Sequence, residues 1–490
     1  MNNRIIEKMR YFAKITPEKA AILYEEIKMN YFDLYLRITK YADELIKLGI
    51  KENNKVIVQC EGTIDDLLII LAILKLNCCF IPIEKNISKE KLVNIINSSK
   101  CSKLIMLREY IFYDFKDDYM QCNLYSFTNR KIWIRKTISE IKENTRKLMY
   151  ILYTSGTTGV PKGVMISEDN FIAFIESIEE LVDYKKRDIV FLGITSFTFD
   201  ISMLESLGTL YHGGTYAMIG DKYKLNCRYI ENFMMNHKVN VVQITPTNLR
   251  FYLKNMMNLS KAFNNVERLL IGGENFPVDV IEDLRKLCNA DIYNCYGPTE
   301  TTIWISYKKI ENDVTLGKVI GKNRIFLDFL DNSSIGEIVI EGLSVSEGYI
   351  GESIENNKKF YNISKYRGFR TGDFGKYNEY GEIVFLGRRD RQIKINGYRI
   401  ELDEIEFQIN RLEYINLSAV LQIKKNNKAK LVCCYESEKE LDVTMIYSYL
   451  TTVLPAYAIP SLFVFVEKIP VNLSLKIDYK QLERMVHGII

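Results

Sequence analysis

Residues 153–163 read Tyr-Thr-Ser-Gly-Thr-Thr-Gly-Val-Pro-Lys-Gly. Without a Cβ, Gly156, Gly159 and Gly163 let the main chain take up positive φ and bring N–H groups close to an anion. Thr154, Ser155, Thr157 and Thr158 add hydroxyl donors, and Lys162 adds a positive charge. This composition suits a backbone that wraps a triphosphate. Upstream, Leu148 to Tyr153 (LMYILY) is an apolar run of strand length. Downstream, Val164 to Ile178 carries apolar residues at helical spacing, with Ser167 or Asn170 as a candidate cap. The loop is therefore expected between a strand and a helix. It is not a Walker A loop, because Val160 and Pro161 separate the second glycine from the lysine. A flexible surface loop would account for the glycines and threonines, but not for their order with the lysine.

Composition bounds the rest. A chain of 490 residues, 47% hydrophobic and 26% charged, is a globular sequence too long for one compact core, so at least two domains are expected. A formal charge of +4 is small for this length and leaves no electrostatic footprint for nucleic acid. The densest basic cluster, Lys424 to Lys430 (KKNNKAK), lies between two strand-like runs and reads as a solvated hairpin turn. Ten cysteines include the doublets Cys78–Cys79 and Cys433–Cys434 and no CxxC spacing, so they read as buried small hydrophobes in a reducing compartment. The start, MNNRIIEKMR, lacks the apolar core of a signal peptide, and Lys75 interrupts the longest apolar run, Leu67 to Leu74, far short of a bilayer span. No membrane association and a cytoplasmic location are expected.

Over the first two thirds, helical patterns such as Asp65 to Leu76 and Asp279 to Leu287 alternate with apolar runs such as Val56 to Gln59, Val239 to Gln243 and Arg268 to Ile271. That alternation predicts an α/β fold with helices layered on largely parallel sheets. After about Ser306 the pattern shifts to short strands between Gly, Asn and Asp, which predicts a small β-rich subdomain. From Gly387 a further unit begins, with a helix predicted over Leu402 to Leu412 and two hairpin strands flanking KKNNKAK. This last unit is a small α+β domain.

Eight motifs, the glycine loop and seven more, occur in one order: FDIS (Phe199 to Ser202), NCYGPTE (Asn294 to Glu300), GEIVIEGLSVSEGY (Gly336 to Tyr349), FRTGD (Phe369 to Asp373), GRRDRQIKINGYRIELDEIE (Gly387 to Glu406), LPAYAIP (Leu454 to Pro460) and LSLKID (Leu473 to Asp478). In these the chain resembles, over nearly its whole length, the adenylate-forming enzymes, and within them the stand-alone amino-acid adenylation domains of nonribosomal peptide synthetase type. The resemblance implies a large core domain over residues 1–389 and a small mobile C-terminal domain over 390–490, with a hinge at Asp390.

The implied reaction joins a carboxylic acid to AMP, then transfers the acyl group to the phosphopantetheine thiol of a carrier protein. A carboxylate attacking the α-phosphorus of ATP brings two anions together, so positioning and positive charge must do most of the work. A histidine base is not required, and His212, His237 and His487 read as structural or exposed. By resemblance, Lys476 enters the site from the small domain as the catalytic cation, and Lys394 lies on the face used in the second half-reaction. The family usually has glycine before the first of these lysines where this chain has Leu475.

The same resemblance assigns ATP to Thr154, Ser155, Gly156, Thr157, Thr158, Gly159, Lys162, Gly273, Asn294, Tyr296, Gly297, Thr299, Asp373 and Arg388. Within that set Tyr296 offers an aromatic face to adenine, Asn294 an amide to its polar edge, and Asp373, helped by Arg388, accepts the ribose hydroxyls. Glu300 would hold Mg²⁺, a hard cation that prefers oxygen ligands.

Asp200 matches the residue that pairs with a substrate α-amino group, which argues against a fatty-acyl or aryl CoA ligase, since those acids would leave a buried carboxylate unpaired. The remaining pocket positions would be Ile201, Leu204, Gln243, Leu270, Gly272, Cys295, Ile303 and Trp304. With Lys476 this series resembles the family's glycine-type pocket, with Cys295 where leucine is commoner. Bulky Trp304 and Leu204 would fill the space a side chain needs. Glycine is the expected substrate and alanine the close competitor, because one methylene is worth only about 1–3 kcal/mol. A D-alanine–carrier protein ligase is the nearest alternative, although that group typically has cysteine at the position of Gly272. A catalytically silent binding homologue is a further alternative, opposed by Lys162, Glu300, Asp373, Arg388 and Lys476. The fourteen residues after Lys476 are too few for a carrier domain, so a peptidyl carrier protein is expected to act in trans.

Overall fold

The structure is a computed structural model and describes residues 3–107, 119–123, 130–135, 147–154, 161–185, 188–274, 276, 280–311, 313–329, 334–351, 356, 358–364, 366–388, 392–395, 398–425, 428–470 and 477–487. Two compact units divide the chain. One comprises Met1–Lys85, Ile96–Tyr153 and Gly163–Gly387; the other comprises Asn86–Ile95, Thr154–Lys162 and Arg388–Ile490.

Two mainly parallel sheets dominate the first unit. The nine-stranded sheet runs in the order Lys318–Val319, Ser306–Lys309, Asp291–Tyr296, Arg268–Gly272, Val241–Ile244, Val190–Gly193, Thr215–Met218, Ala20–Tyr24, Ile27–Asn30. Its six central strands are parallel, and antiparallel strands close both edges. The seven-stranded sheet runs Tyr119–Asn123, Arg130–Arg135, Lys103–Leu107, Lys55–Cys60, Cys79–Glu84, Leu148–Thr154, Lys162–Ser167. One continuous apolar core contains Val56, Phe80 and Tyr150 of this sheet, Phe191, Tyr216 and Leu270 of the other, and the helices Tyr31–Lys47, Ile64–Lys75 and Glu168–Ser177. Those helices therefore lie between the sheets. Ile64–Lys75 is apolar nearly all round, as a helix covered on both sides must be. A second cluster, including Val242, Ile244, Leu269, Ile271 and Ile292, covers the other face of the nine-stranded sheet. A five-stranded antiparallel sheet of Arg324–Phe329, Gly336–Gly342, Phe360–Ile363, Tyr366–Tyr377 and Ile383–Arg388 forms the β-rich part.

In the second unit, Leu417–Lys425 and Lys428–Glu436 form an antiparallel hairpin in which Lys425 faces Lys428 across the basic turn, and Leu462–Phe465 adds a parallel strand. The helices Leu402–Ile409 and Val443–Val453 cover the hairpin around Val420, Cys433, Ile446 and Leu450. Among the described residues no helix is long and apolar enough to cross a membrane.

One local expectation needs correction. The glycine loop leads from the strand Leu148–Thr154 not into a helix but into a second strand, Lys162–Ser167, and the helix starts only at Glu168. Val164 and Ile166 are buried as strand residues, a spacing too short to be told from helical periodicity. Both candidate caps act at the start of that helix: the Asn170 N–H donates to Ser167 Oγ at 3.2 Å, and the Ser167 N–H donates to Asn170 Oδ1 at 3.0 Å. The Asn170 amide also donates to the carbonyls of Leu343 and Val345, at 2.8 and 2.9 Å, pinning the helix start to the β-rich part. Asn170→Ala leaves those carbonyls short of a donor, and each buried unsatisfied group costs about 1–3 kcal/mol. The expected outcome is a loss of several kcal/mol, read as a lower urea midpoint.

Candidate active site

Three neighbouring parallel strands end side by side. Gln243 pairs with Leu270, Leu270 with Tyr293, and Gly272 with Cys295. Because paired residues share a face and side chains alternate along a strand, Gln243, Leu270, Gly272, Tyr293 and Cys295 lie on one face, near the carboxyl ends of their strands. Carboxyl ends of strands in open α/β sheets are where ligands bind. Leu270, Cys295, Ile201, Leu204, Ile303 and Trp304 all belong to the large apolar core, and hydrogen bonds, strand pairing or close approach directly join Ile201, Gln243, Leu270, Gly272, Cys295 and Trp304.

A folded-back segment after the strand Asp291–Tyr296 places bulk against this face. The turn Thr299–Thr301 is followed by Thr302 and Ile303 at φ 60° and 72°, a conformation that β-branched residues rarely adopt. Thr302 Oγ1 donates to the Ser344 carbonyl at 2.7 Å, and the Ile305 N–H returns to the Tyr296 carbonyl at 2.8 Å, which holds the strained residues in place. A Cβ on Gly297 would collide with the Ile303 carbonyl and lie 2.8 Å from Trp304 Cα, so the fold-back needs glycine there. Trp304 ends with its indole edge on the sheet: a Cβ on Gly272 would meet its Cη2 at 2.6 Å, as well as the Cys295 carbonyl.

Behind that wall lies a buried polar chain. Trp304 Nε1 donates to Gln243 Oε1 at 2.7 Å; Gln243 Nε2 donates to the Ile201 carbonyl at 2.9 Å and to Glu205 Oε1 at 3.2 Å. Thr195 closes it, its N–H donating to Glu205 Oε2 at 3.1 Å and its hydroxyl to Oε1 at 2.5 Å. Glu205, which sequence reasoning missed, is fully buried. Its signal was a lone acid within the apolar run that follows Asp200. Asp200, itself buried, precedes the short helix Ile201–Met203.

The predicted nucleotide residues separate into groups. Tyr296, at the end of its strand, donates its hydroxyl to Asp373 Oδ2 at 2.5 Å. Asp373 reaches that position through a bulge: pairing shifts register between Glu337 and Val339, Gly372 takes φ 75°, and its N–H donates to Glu337 Oε1 at 2.9 Å. Glu300 is fully buried, and its Oε1 accepts the Tyr349 hydroxyl at 2.6 Å, a partner the sequence did not reveal. Thr299 sits in the turn beside it, and Gly273 follows the strand Arg268–Gly272 at φ 87°, where a Cβ would lie 3.7 Å from Thr245 Cγ2. Asn294 shares its strand face with Tyr296, opposite to Cys295, and its amide donates to the Thr315 carbonyl at 2.9 Å.

In the second unit the Thr154 hydroxyl donates to the carbonyl of the buried Lys162 at 3.5 Å, and Arg388 ends the strand Ile383–Arg388. Ser155, Gly156, Thr157, Thr158, Gly159, Asp390, Lys476 and the side chain of Lys394 lie outside the described residues. Of the histidines, His212 is a packing residue, stacked on Tyr184 at 4.3 Å and bonded through Nε2 to the Ile175 carbonyl at 2.8 Å.

Residues 9–350 match the family model for the AMP-binding enzyme. The chain belongs to that family. A D-alanine–D-alanyl carrier protein ligase of Bacillus licheniformis is 30% identical, with 99% of each chain covered. Gramicidin S synthase 2 of Brevibacillus brevis is 28% identical over 97% of this chain, which spans only 11% of that protein. Among solved structures, a Vibrio cholerae adenylation domain in complex with glycyl-adenosine-5'-phosphate superposes with a TM-score of 0.81 at 18% identity, covering 100% of this chain and 98% of that one. The protein is an AMP-forming acid–thiol ligase of the adenylate-forming fold.

Burial lifts Glu205 from 4.5 to about 7, only partly countered by the Thr195 and Gln243 donors. Because folding raises this carboxyl, its stabilising contribution is complete below its unfolded value and is lost as pH rises through 7. Stability should therefore decline between about pH 4.5 and 7 relative to Glu205→Gln, which does not titrate. Chemical denaturation of both proteins across that range checks the difference in slope.

Proposed function

We propose that this ligase activates a small α-amino acid, glycine first, as its aminoacyl-AMP with release of pyrophosphate, and loads it onto the phosphopantetheine thiol of a separate carrier protein. The observations that carry the substrate class are the buried Asp200, whose chain neighbour Ile201 is bonded through its carbonyl to Gln243, and the wall made by Trp304, Gly272 and Cys295. A carboxylate there favours an acid bearing an α-ammonium, while the indole edge leaves little room beyond the α-carbon. D-alanine is the second reading, favoured by the full-length likeness to the D-alanyl carrier protein ligase.

In this reading Tyr296, tethered by its hydroxyl to Asp373, offers a fixed ring to adenine and steadies the carboxylate that meets the ribose. The glycine loop and Lys162 receive the phosphates, with Arg388 assisting at the ribose. Among the described residues no group of three or more acidic, histidine or cysteine side chains could hold a metal ion, so a magnesium ion would rely on Glu300, phosphate oxygens and water. Its chemistry would be to offset phosphate charge. Lys476 supplies the mobile positive charge of adenylation, Lys394 serves transfer to the thiol, and Asp390 is the hinge between residues 1–389 and 390–490.

Amino-acid-dependent exchange of pyrophosphate into ATP tests this reading. The expected result is exchange with glycine above other amino acids, none with fatty or aryl acids, and loss of exchange in Lys476→Ala with ATP binding retained. No exchange with any amino acid would overturn the reaction, and full exchange in Lys476→Ala would overturn that residue's role.

A further inference from the structure

We propose that Glu205 is a positioning residue for substrate selection: acting through Gln243, it fixes the Trp304 indole as the wall that limits the substrate's side chain. This inference rests on the amino-acid-activating reading above.

Hydrogen-bond chemistry leaves the relay one orientation. An indole nitrogen only donates, so the Gln243 atom facing it must be the amide oxygen. The Gln243 NH₂ group then points the other way, where it meets two acceptors, the Ile201 carbonyl and Glu205 Oε1. Glu205 in turn is held by two donors of Thr195, one from the main chain and one from the side chain. Glu205 and Gln243 are 0% exposed and Trp304 is 1% exposed, while Thr195 at the outer end is half-buried. Water cannot substitute for a missing partner without opening the core, so the amide cannot flip at low cost.

Local backbone geometry delivers the acid to this position. Glu205 lies in a single π-helical turn, Leu204–Gly208, between the helical turns Ile201–Met203 and Thr209–Tyr211. A π-helical turn inserts an extra residue and rotates the side chains after it, a device found mostly at functional sites. Here the turn begins at Leu204 and closely follows Asp200 and Ile201, all three predicted pocket residues. Gln243 also bonds the Ile201 carbonyl, so the relay couples the helix that begins after Asp200 to the indole of the folded-back segment. The far edge of that indole, at Cη2 and Cζ3, is the part that lies against Gly272.

The test measures pyrophosphate exchange with glycine, alanine and serine for wild type, Glu205→Gln, Trp304→Phe and the double variant, with thermal melting of each. Phenylalanine keeps a ring but has no N–H for Gln243. Glutamine at 205 must turn an NH₂ group toward either the Thr195 N–H or the Gln243 amide, so one link fails whichever way it lies. Each single variant is expected to narrow discrimination between the preferred amino acid and the next larger one by about tenfold, through a lower KM for the larger substrate. The double variant should narrow it no further, because both changes release the same wall. Unchanged discrimination in a folded Glu205→Gln, or additive effects in the double variant, would overturn the proposal and leave Glu205 a purely structural residue. Should Glu205→Gln fail to fold, Thr195→Val removes one bond at the outer end of the relay. It should shift discrimination the same way by a smaller factor, and no shift there overturns the proposal equally. A wild type without amino-acid-dependent exchange would instead sink the underlying substrate reading.

Discussion

The hydrogen bond from Trp304 Nε1 to Gln243 Oε1, 2.7 Å long and sealed from water, is the constraint on which the proposed pocket depends. A large aromatic side chain in a core has many ways to pack, and apolar contact alone does not choose among them. One directional bond to a group that is itself bonded twice does choose. It turns the indole so that its edge closes on Gly272, where no side chain could be accommodated. Cys295 beside it is buried and its thiol is pushed well above the usual range by desolvation, so it acts as a small apolar filler rather than a nucleophile.

Strain at Thr302 and Ile303 is the cost of this arrangement. Non-glycine residues at positive φ cost on the order of 1–3 kcal/mol each and persist only where the surroundings over-determine them. The Thr302 hydroxyl bond to Ser344, complete burial of Ile303, and the return of the Ile305 N–H to Tyr296 supply that determination. The same fold-back begins at the residue whose hydroxyl is bonded to Asp373, so one short segment links the walls of the proposed amino-acid pocket to groups proposed for the nucleotide. The bulge that aims Asp373 is a second local departure from regular structure. The bulge lies within the strand Tyr366–Tyr377, whereas the fold-back follows the end of the strand Asp291–Tyr296.

Elements with a strong single-period signal were legible in the sequence. The helix Ile64–Lys75 follows from its unbroken apolar run, and the hairpin around Lys425 and Lys428 from two strand-like runs flanking a basic turn. The family was legible from motif order, and the comparisons agree with it. The strand Lys162–Ser167 was not, because Val164 and Ile166 fit a helix as well as a strand over so short a span. Asn294 was read from its motif as a nucleotide contact; the bond from its amide to the Thr315 carbonyl, 21 residues away in the chain, shows only in the fold. Glu205 escaped notice because its role depends on Gln243, 38 residues away in the chain and adjacent only once the helix packs on the sheet.

Trapping of the activated acid by hydroxylamine, with glycine and D-alanine supplied together at equal concentration, tests the central claim most directly. A pocket closed by an anchored indole should yield glycine hydroxamate in clear excess. Predominant D-alanine hydroxamate would contradict the claim, because it would mean that the Trp304 edge leaves room for a methyl group.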